Sequence, residues 1–231
     1  MDLSLLPAAG RPPAHARARR WRPGLAGGTL HSEIFAPGNE GSGAAVALAL
    51  ALDAAAADDA RSLLWVQDKA ALRLTGRPYR PGLPTTLHSR VIHVAAATPE
   101  DALFALEEGL RCRDLAGVIG EIVGNPRALD FTASRRLALA AERHGIPLFL
   151  VRPDAARDLS AARMRWQVRA APSPPPRWNP QAPGQPAWRA ELFRARAHPP
   201  GEWILLHDEK TGLDARPAAA SDQAEVRAAG L

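Results

Sequence analysis

At 231 residues with 46% apolar side chains the chain has room for one main domain with tails, while 5% aromatic residues and 22 prolines assign part of the length to connectors rather than core. A formal net charge of +5 and a pI near 10.5 favour contact with nucleic acid or another acidic surface without demanding it. The single Cys112 excludes an intrachain disulfide and a cysteine-based zinc site, and no apolar run approaches the ~20 residues that span a bilayer, so a cytoplasmic protein without membrane contact is the expectation.

Residues 1–24 carry Arg11, Arg17, Arg19, Arg20 and Arg22 among four prolines, with no sustained apolar period and no apolar signal-peptide core. A disordered basic arm is expected, either solvated or touching DNA or a partner. The main domain is expected over residues 25–208. From Thr29 to Phe35 the chain suggests a short helix or turn leading into Pro37, and Ala44 to Ala57 reads as a largely buried helix of Ala, Leu and Val. Arg61 to Asp68 and Arg90 to Val94 read as strands covered on both faces, separated by a Gly- and Pro-containing loop over 75–82.

Thr98-Pro99-Glu100-Asp101 is a helix start, with Thr as cap, Pro in the first turn and acids facing the positive end of the dipole. Leu103, Leu106 and Leu110 share one face of that helix. Ala116 to Glu121 is a third buried strand ending in an acid. Asp130 caps a helix that Gly145 closes, and Pro147 to Val151 is the next strand. Met164 to Ala170 alternates like an exposed antiparallel strand. A Pro-rich connector over 171–186 then leads to Trp188–Arg196 and Gly201–His207, a hairpin. Residues 209–231 are polar and Ala-rich and are expected to be disordered. The fold class is therefore α/β, a mostly parallel sheet flanked by helices with a C-terminal antiparallel hairpin.

Gly38 and Gly43 hold the two glycine places of a phosphate-binding GxxxxGK[ST] loop, but the next two places are Ala44 and Ala45. The ammonium that neutralises phosphate charge and the hydroxyl that ligates Mg²⁺ are both missing, and charge stabilisation is most of the catalysis in phosphoryl transfer. The loop Gly38, Gly41, Ser42, Gly43, Ala44, Ala45 is thus expected to be a degenerate nucleotide-binding loop, without catalysis and without a cofactor. Its alternative is nucleotide binding through the Gly41–Gly43 amides and the helix dipole. Asp68 and Glu121, at strand ends, are read as vestigial acids turned to capping or interface work. The seven histidines show no i, i+4 pair or ligand cluster, so no metal site is expected.

The order of loop, helix and acid-ended strands followed by a hairpin resembles the RecA-like ATPase core. Arg194-Ala195-Arg196-Ala197-His198-Pro199-Pro200-Gly201 is similar to the KxRxGPTG turn of RadA- and DnaB-type proteins, with Arg194 and Arg196 at the two basic places of a finger and His198 and Pro200 departing from it. The ordinary alternative is a basic pair that solvates a strand edge. Several phrases between residues 29 and 207 look like the ImuA family: Leu64-Trp65-Val66-Gln67-Asp68, Gly76-Arg77-Pro78-Tyr79, Ile119-Gly120-Glu121, Arg127 to Leu137, and Pro186 to Leu192.

That resemblance implies a non-catalytic RecA-like, SulA-like adaptor of the SOS response to DNA damage. Its partners would be an ImuB-like relative of Y-family polymerases, RecA and an error-prone polymerase, in mutagenic translesion synthesis. Arg127, Arg135 and Arg136 would contact DNA weakly or touch a partner, or form a solvated helix face. Two other readings stay open, a divergent ATPase using a substitute cation such as Lys69 and a SulA-like inhibitor of a filament-forming protein.

Overall fold

The computed structural model describes residues 30–56, 58–176, 178–208 and 212–218, so the expected basic arm and the expected tail from 219 onward lie outside the described residues. Helix limits follow from caps. In α3 (Pro99–Arg111) the Thr98 hydroxyl accepts from the Asp101 amide at 3.1 Å, and in α4 (Phe131–His144) the Asp130 carboxylate accepts from the Ala133 amide at 2.7 Å. Gly145, with φ of 70°, ends α4 in the left-handed conformation that costs glycine least. Helix α1 (Ser42–Ala54) has no side-chain cap, and a short α2 (Lys69–Thr75), unforeseen from the sequence, is capped by Asp68.

One nine-stranded sheet carries these helices. Its strands are β1 (His31–Ala36), β2 (Ser62–Gln67), β3 (Val91–Ala95), β4 (Leu115–Glu121), β5 (Leu148–Pro153), β6 (Met164–Ala170), β7 (Ala187–Ala195), β8 (Gly201–Asp208) and β9 (Gly212–Pro217). The order is β3-β2-β4-β5-β1-β6-β7-β8-β9, parallel from β3 through β6 and antiparallel from β6 to β9. The α/β class, the mostly parallel sheet and the β7–β8 hairpin agree with the sequence reading.

Alternation along the strands divides the interior in two. Ile34, Leu63, Trp65, Ile119, Phe149 and Val151 pack with α1, and the antiparallel strands extend that layer through Trp166, Ala190 and Leu205. Leu64, Val66, Val118, Leu148 and Leu150 pack with α3 and α4 on the other face. Trp166 meets Trp203 edge-on with ring centroids 6.0 Å apart.

Four local expectations need correction. The segment before the loop is strand β1, not a helix or turn, because it pairs on both sides, with β5 and β6. Strand β3 is the sheet's edge and leaves Ile92 49% exposed, so it is not covered on both faces. Strand β6 is interior and mostly buried, since its parallel pairing with β1 and antiparallel pairing with β7 make it the switch between the two halves. Gly212–Pro217, expected within a disordered tail, is β9, held by pairing with β8 and by Leu213, buried among α1-side residues. Trp178, in the Pro-rich connector, stands 80% exposed. Among the described residues no helix is long and apolar enough to cross a membrane.

Because Leu213 is 2% exposed, Leu213→Ala is expected to destabilise the full chain by about 2–5 kcal/mol in urea unfolding; a change below ~0.5 kcal/mol would mean that β9 does not belong to the core.

Candidate functional site

The loop Pro37–Gly41 joins the end of β1 to α1 at the carboxyl edge of the parallel strands, where open α/β sheets bind ligands. Two carboxylates of this chain, Asp154 and Glu40, bond at its two ends. The Gly38 amide donates to Asp154 Oδ1 at 2.7 Å, and Asp154, just past β5, holds φ at 51° while its own amide donates to the Ala36 carbonyl at 3.0 Å. Glu40 Oε1 accepts from the Ser42 hydroxyl at 2.8 Å and from the Ala170 amide at 3.0 Å, tying the loop to the end of β6. A phosphate entering here would compete with two carboxylates, and neither Ala44 nor Ala45 offers a charge to offset them.

The glycines serve different ends. A Cβ on Gly43 would lie 2.7 Å from Val151 Cγ1 and 2.9 Å from Ala36 Cβ, so this position is bare because α1 lies hard against β1 and β5. A Cβ on Gly38 would lie 2.3 Å from Asp154 Oδ2, whereas one on Gly41 meets nothing within 4 Å. Ala44 and Ala45 are half-buried against the α1-side core.

Asp68 and Glu121 end the neighbouring strands β2 and β4, and β5 separates β4 from the loop-bearing strand. Both are buried and engaged. Asp68 Oδ1 accepts the Ala71 amide at 2.7 Å as the cap of α2. Glu121 Oε1 accepts from Trp65 Nε1 at 2.6 Å and Gln67 Nε2 at 3.2 Å, and its Oε2 from the Thr75 hydroxyl at 3.1 Å. Burial pushes both carboxyls above their ordinary pKa. The His93 ring, hydrogen-bonded to Gln67 Oε1 at 2.8 Å, extends the network to the edge strand. Among the described residues no group of His, Cys, Asp and Glu is arranged to hold a metal ion.

The arginines divide. Arg136 pairs with Glu107 of α3 at 2.8 Å, and Arg127 stands exposed in the loop before α4. Arg135, Arg194 and Arg196, singled out for separate reasons, line one groove of about 550 Å³ between α4, residues 160–163 and the end of β7. Nothing in the sequence signals this meeting, which depends on β7 returning antiparallel to β6.

No family model matches the chain. It is 35% identical over 158 residues to Protein ImuA of Caulobacter vibrioides, in strains NA1000 / CB15N and ATCC 19089 / CIP 103742 / CB 15, an alignment covering 64% of this chain and 61% of each relative. The chain is thus similar to ImuA over part of its length. It spans about three fifths of the length of the relatives it matches.

Sequence reasoning overlooked a buried charge cluster on the α4 face of β1. Glu33, fully buried, accepts from Arg165 Nε at 2.8 Å and from the Ser160 hydroxyl at 2.6 Å, with Arg152 Nη1 at 3.8 Å. Arg152 Nη2 donates to the Gly124 carbonyl at 2.8 Å, and the Arg165 guanidinium lies 5.0 Å from the Phe35 ring centroid. A charged residue in a strand expected to be a turn was the missed signal. His31, two residues before Glu33, is also fully buried, and neither ring nitrogen has a hydrogen-bond partner. Burial pulls its pKa down to about 4.

Two outcomes follow. Gly43→Ala is expected to lose about 1–3 kcal/mol, while Gly41→Ala, at φ −83° and in open space, stays within about 0.5 kcal/mol; equal effects in thermal melts would refute the close-approach account. For His31 the unfolded chain binds the proton more tightly, near pH 6.5, than the folded one, near 4, so its contribution is lost as pH falls through that window, by about 3 kcal/mol. Glu121 and Asp68 act in the opposite sense, so the difference between wild type and His31→Leu isolates the histidine. Stability measured from pH 7 to 4 should fall more steeply in wild type, and parallel curves would count against a neutral buried ring.

Proposed function

We propose that this chain is a non-catalytic accessory protein of damage-induced mutagenesis, built on a RecA-like core, that works through protein contacts with an ImuB-like relative of Y-family polymerases and an error-prone polymerase. The observation that carries the non-catalytic part is the loop. Asp154 takes the Gly38 amide and Glu40 ties the loop to Ser42 and Ala170, Ala44 and Ala45 stand in the places of the cation and the metal ligand, and Asp68 and Glu121 cap a helix and anchor a buried network. Resemblance to ImuA supports the pathway and partners. The order β4-β5-β1, with an acid-ended strand one place removed from the loop strand, supports a core descended from a nucleotide-binding protein.

The experiment is co-purification of the full chain with an ImuB-like protein and with RecA, alongside titration with ATP and Mg²⁺. Association with the ImuB-like protein and no turnover are expected. Ala44→Lys with Ala45→Thr is expected to remain without ATPase activity, because Asp154 and Glu40 still occupy the loop. Turnover abolished by Glu121→Gln would replace this reading with a divergent ATPase, and failure to associate with any component of that machinery would end it.

A further inference from the structure

We propose that the groove between α4, residues 160–163 and the end of β7 is a docking cleft for an amphipathic protein segment bearing carboxylates between apolar anchors. The α4 face that turns away from the core carries Phe131, Arg135 and Leu139, spaced i, i+4, i+8, and all three line the groove. Phe131 and Leu139 are 48% and 52% exposed, an arrangement that exposes apolar area on a helix already well anchored by Leu137 and Ala141 on its other side.

The cleft is built before any partner arrives. The Ala161 amide donates to the Ser134 hydroxyl at 3.0 Å, joining its far wall to α4, and the Arg196 amide donates to the Arg163 carbonyl at 3.0 Å, joining that wall to β7. Ser160 is bonded to the buried Glu33 carboxylate, so the floor is fixed to the sheet interior. A preformed cleft spares a partner the entropy of ordering it.

Charge selects the occupant. Arg163 is paired with Glu142, which also lies in the field of Arg196, and Arg135 and Arg194 add charge with no acid lining the groove to offset them. The rim is therefore net positive around alanine, leucine and phenylalanine walls. That combination suits carboxylates flanking apolar side chains. A phosphate backbone would gain from the arginines but leave Phe131 and Leu139 without apolar contact, and a second copy of this cleft would set arginine against arginine.

The proposal relies on the adaptor reading only in needing a protein partner. Its test is fluorescence anisotropy of the full chain with a labelled amphipathic peptide carrying Leu or Phe at i, i+4 and i+8 with glutamates between them. The same peptide with lysines, and single- and double-stranded DNA, are run beside it. Saturable binding of the glutamate peptide is expected, weakened about tenfold by Arg135→Glu with Arg194→Glu and about fivefold by Leu139→Asp. Phe104→Asp, on the outer side of α3, is expected to leave it unchanged, with unaltered melting temperatures confirming that each variant folds.

Peptide binding indifferent to the groove substitutions overturns the proposal, as does DNA binding that depends on them while the glutamate peptide fails to bind. An ImuB-like partner that co-purifies equally well with Arg135→Glu/Arg194→Glu and with wild type also overturns the groove while leaving the adaptor reading intact. A wild-type chain that binds the peptide but no such partner removes the adaptor reading and retains the groove.

Discussion

The polar cluster on the α4 face of the sheet depends on one buried carboxylate. Glu33 sits on the strand that joins the parallel half of the sheet to β6, directly opposite Arg165 in the β1–β6 register. A charge there is tolerable only with partners, and it has Arg165, Ser160 and the more distant Arg152. Each comes from a different piece of chain: β6, the segment before it, and β5. Removing one partner from such a cluster costs about 3–5 kcal/mol, because it strands the others without water. An apolar trio of similar volume would hold the strands as firmly. What the ionic arrangement adds is position, since a carboxylate accepts from particular donors while a leucine accepts any neighbour of the right size. Ser160 is thereby fixed, and with it the wall of the groove.

The loop shows a different use of carboxylates. A glycine-rich strand-to-helix turn presents backbone amides that need acceptors. In a nucleotide-binding protein phosphate oxygens supply them, and here Asp154 supplies one for Gly38 and Glu40 binds across to β6. One amide of the turn thus has an internal carboxylate acceptor. Gly43 persists for a reason unrelated to phosphate, the close approach of α1 to Val151 and Ala36. Glycine spacing alone therefore says little about nucleotide binding; which atoms take the amides says more.

Legibility in the sequence followed the range of the interaction. Thr98, Asp130 and Gly145 act within one turn of themselves, so α3 and α4 could be read with their ends. Buried runs such as Leu63–Val66 declared strands because both sheet faces are covered. Strand β1 failed that test because His31, Ser32 and Glu33 are polar; pairing with β5 and β6 makes them a strand, and Ser160 and Arg165, from over a hundred residues away, partner the charge of Glu33. Strand β9 was hidden for a similar reason: Gly212–Pro217 is polar except where Leu213 reaches the core, and only β8 gives it partners. Arg135 and Arg194 were each visible as basic residues, but their common groove is a product of topology.

The two sites lie at opposite ends of one strand. β6 begins at Met164, beside Arg163 and opposite Ala195, and ends at Ala170, whose amide holds Glu40 of the loop. Seven residues of strand separate these ends by about 20 Å. A partner segment lying along α4 need not reach the loop, and neither Ala44 nor Ala45 lines the groove. Glu33, which faces Arg165 near the start of β6, positions the Ser160 wall without any group of the loop. The sheet is retained as the frame that holds α4 and the end of β7 at a fixed distance from each other.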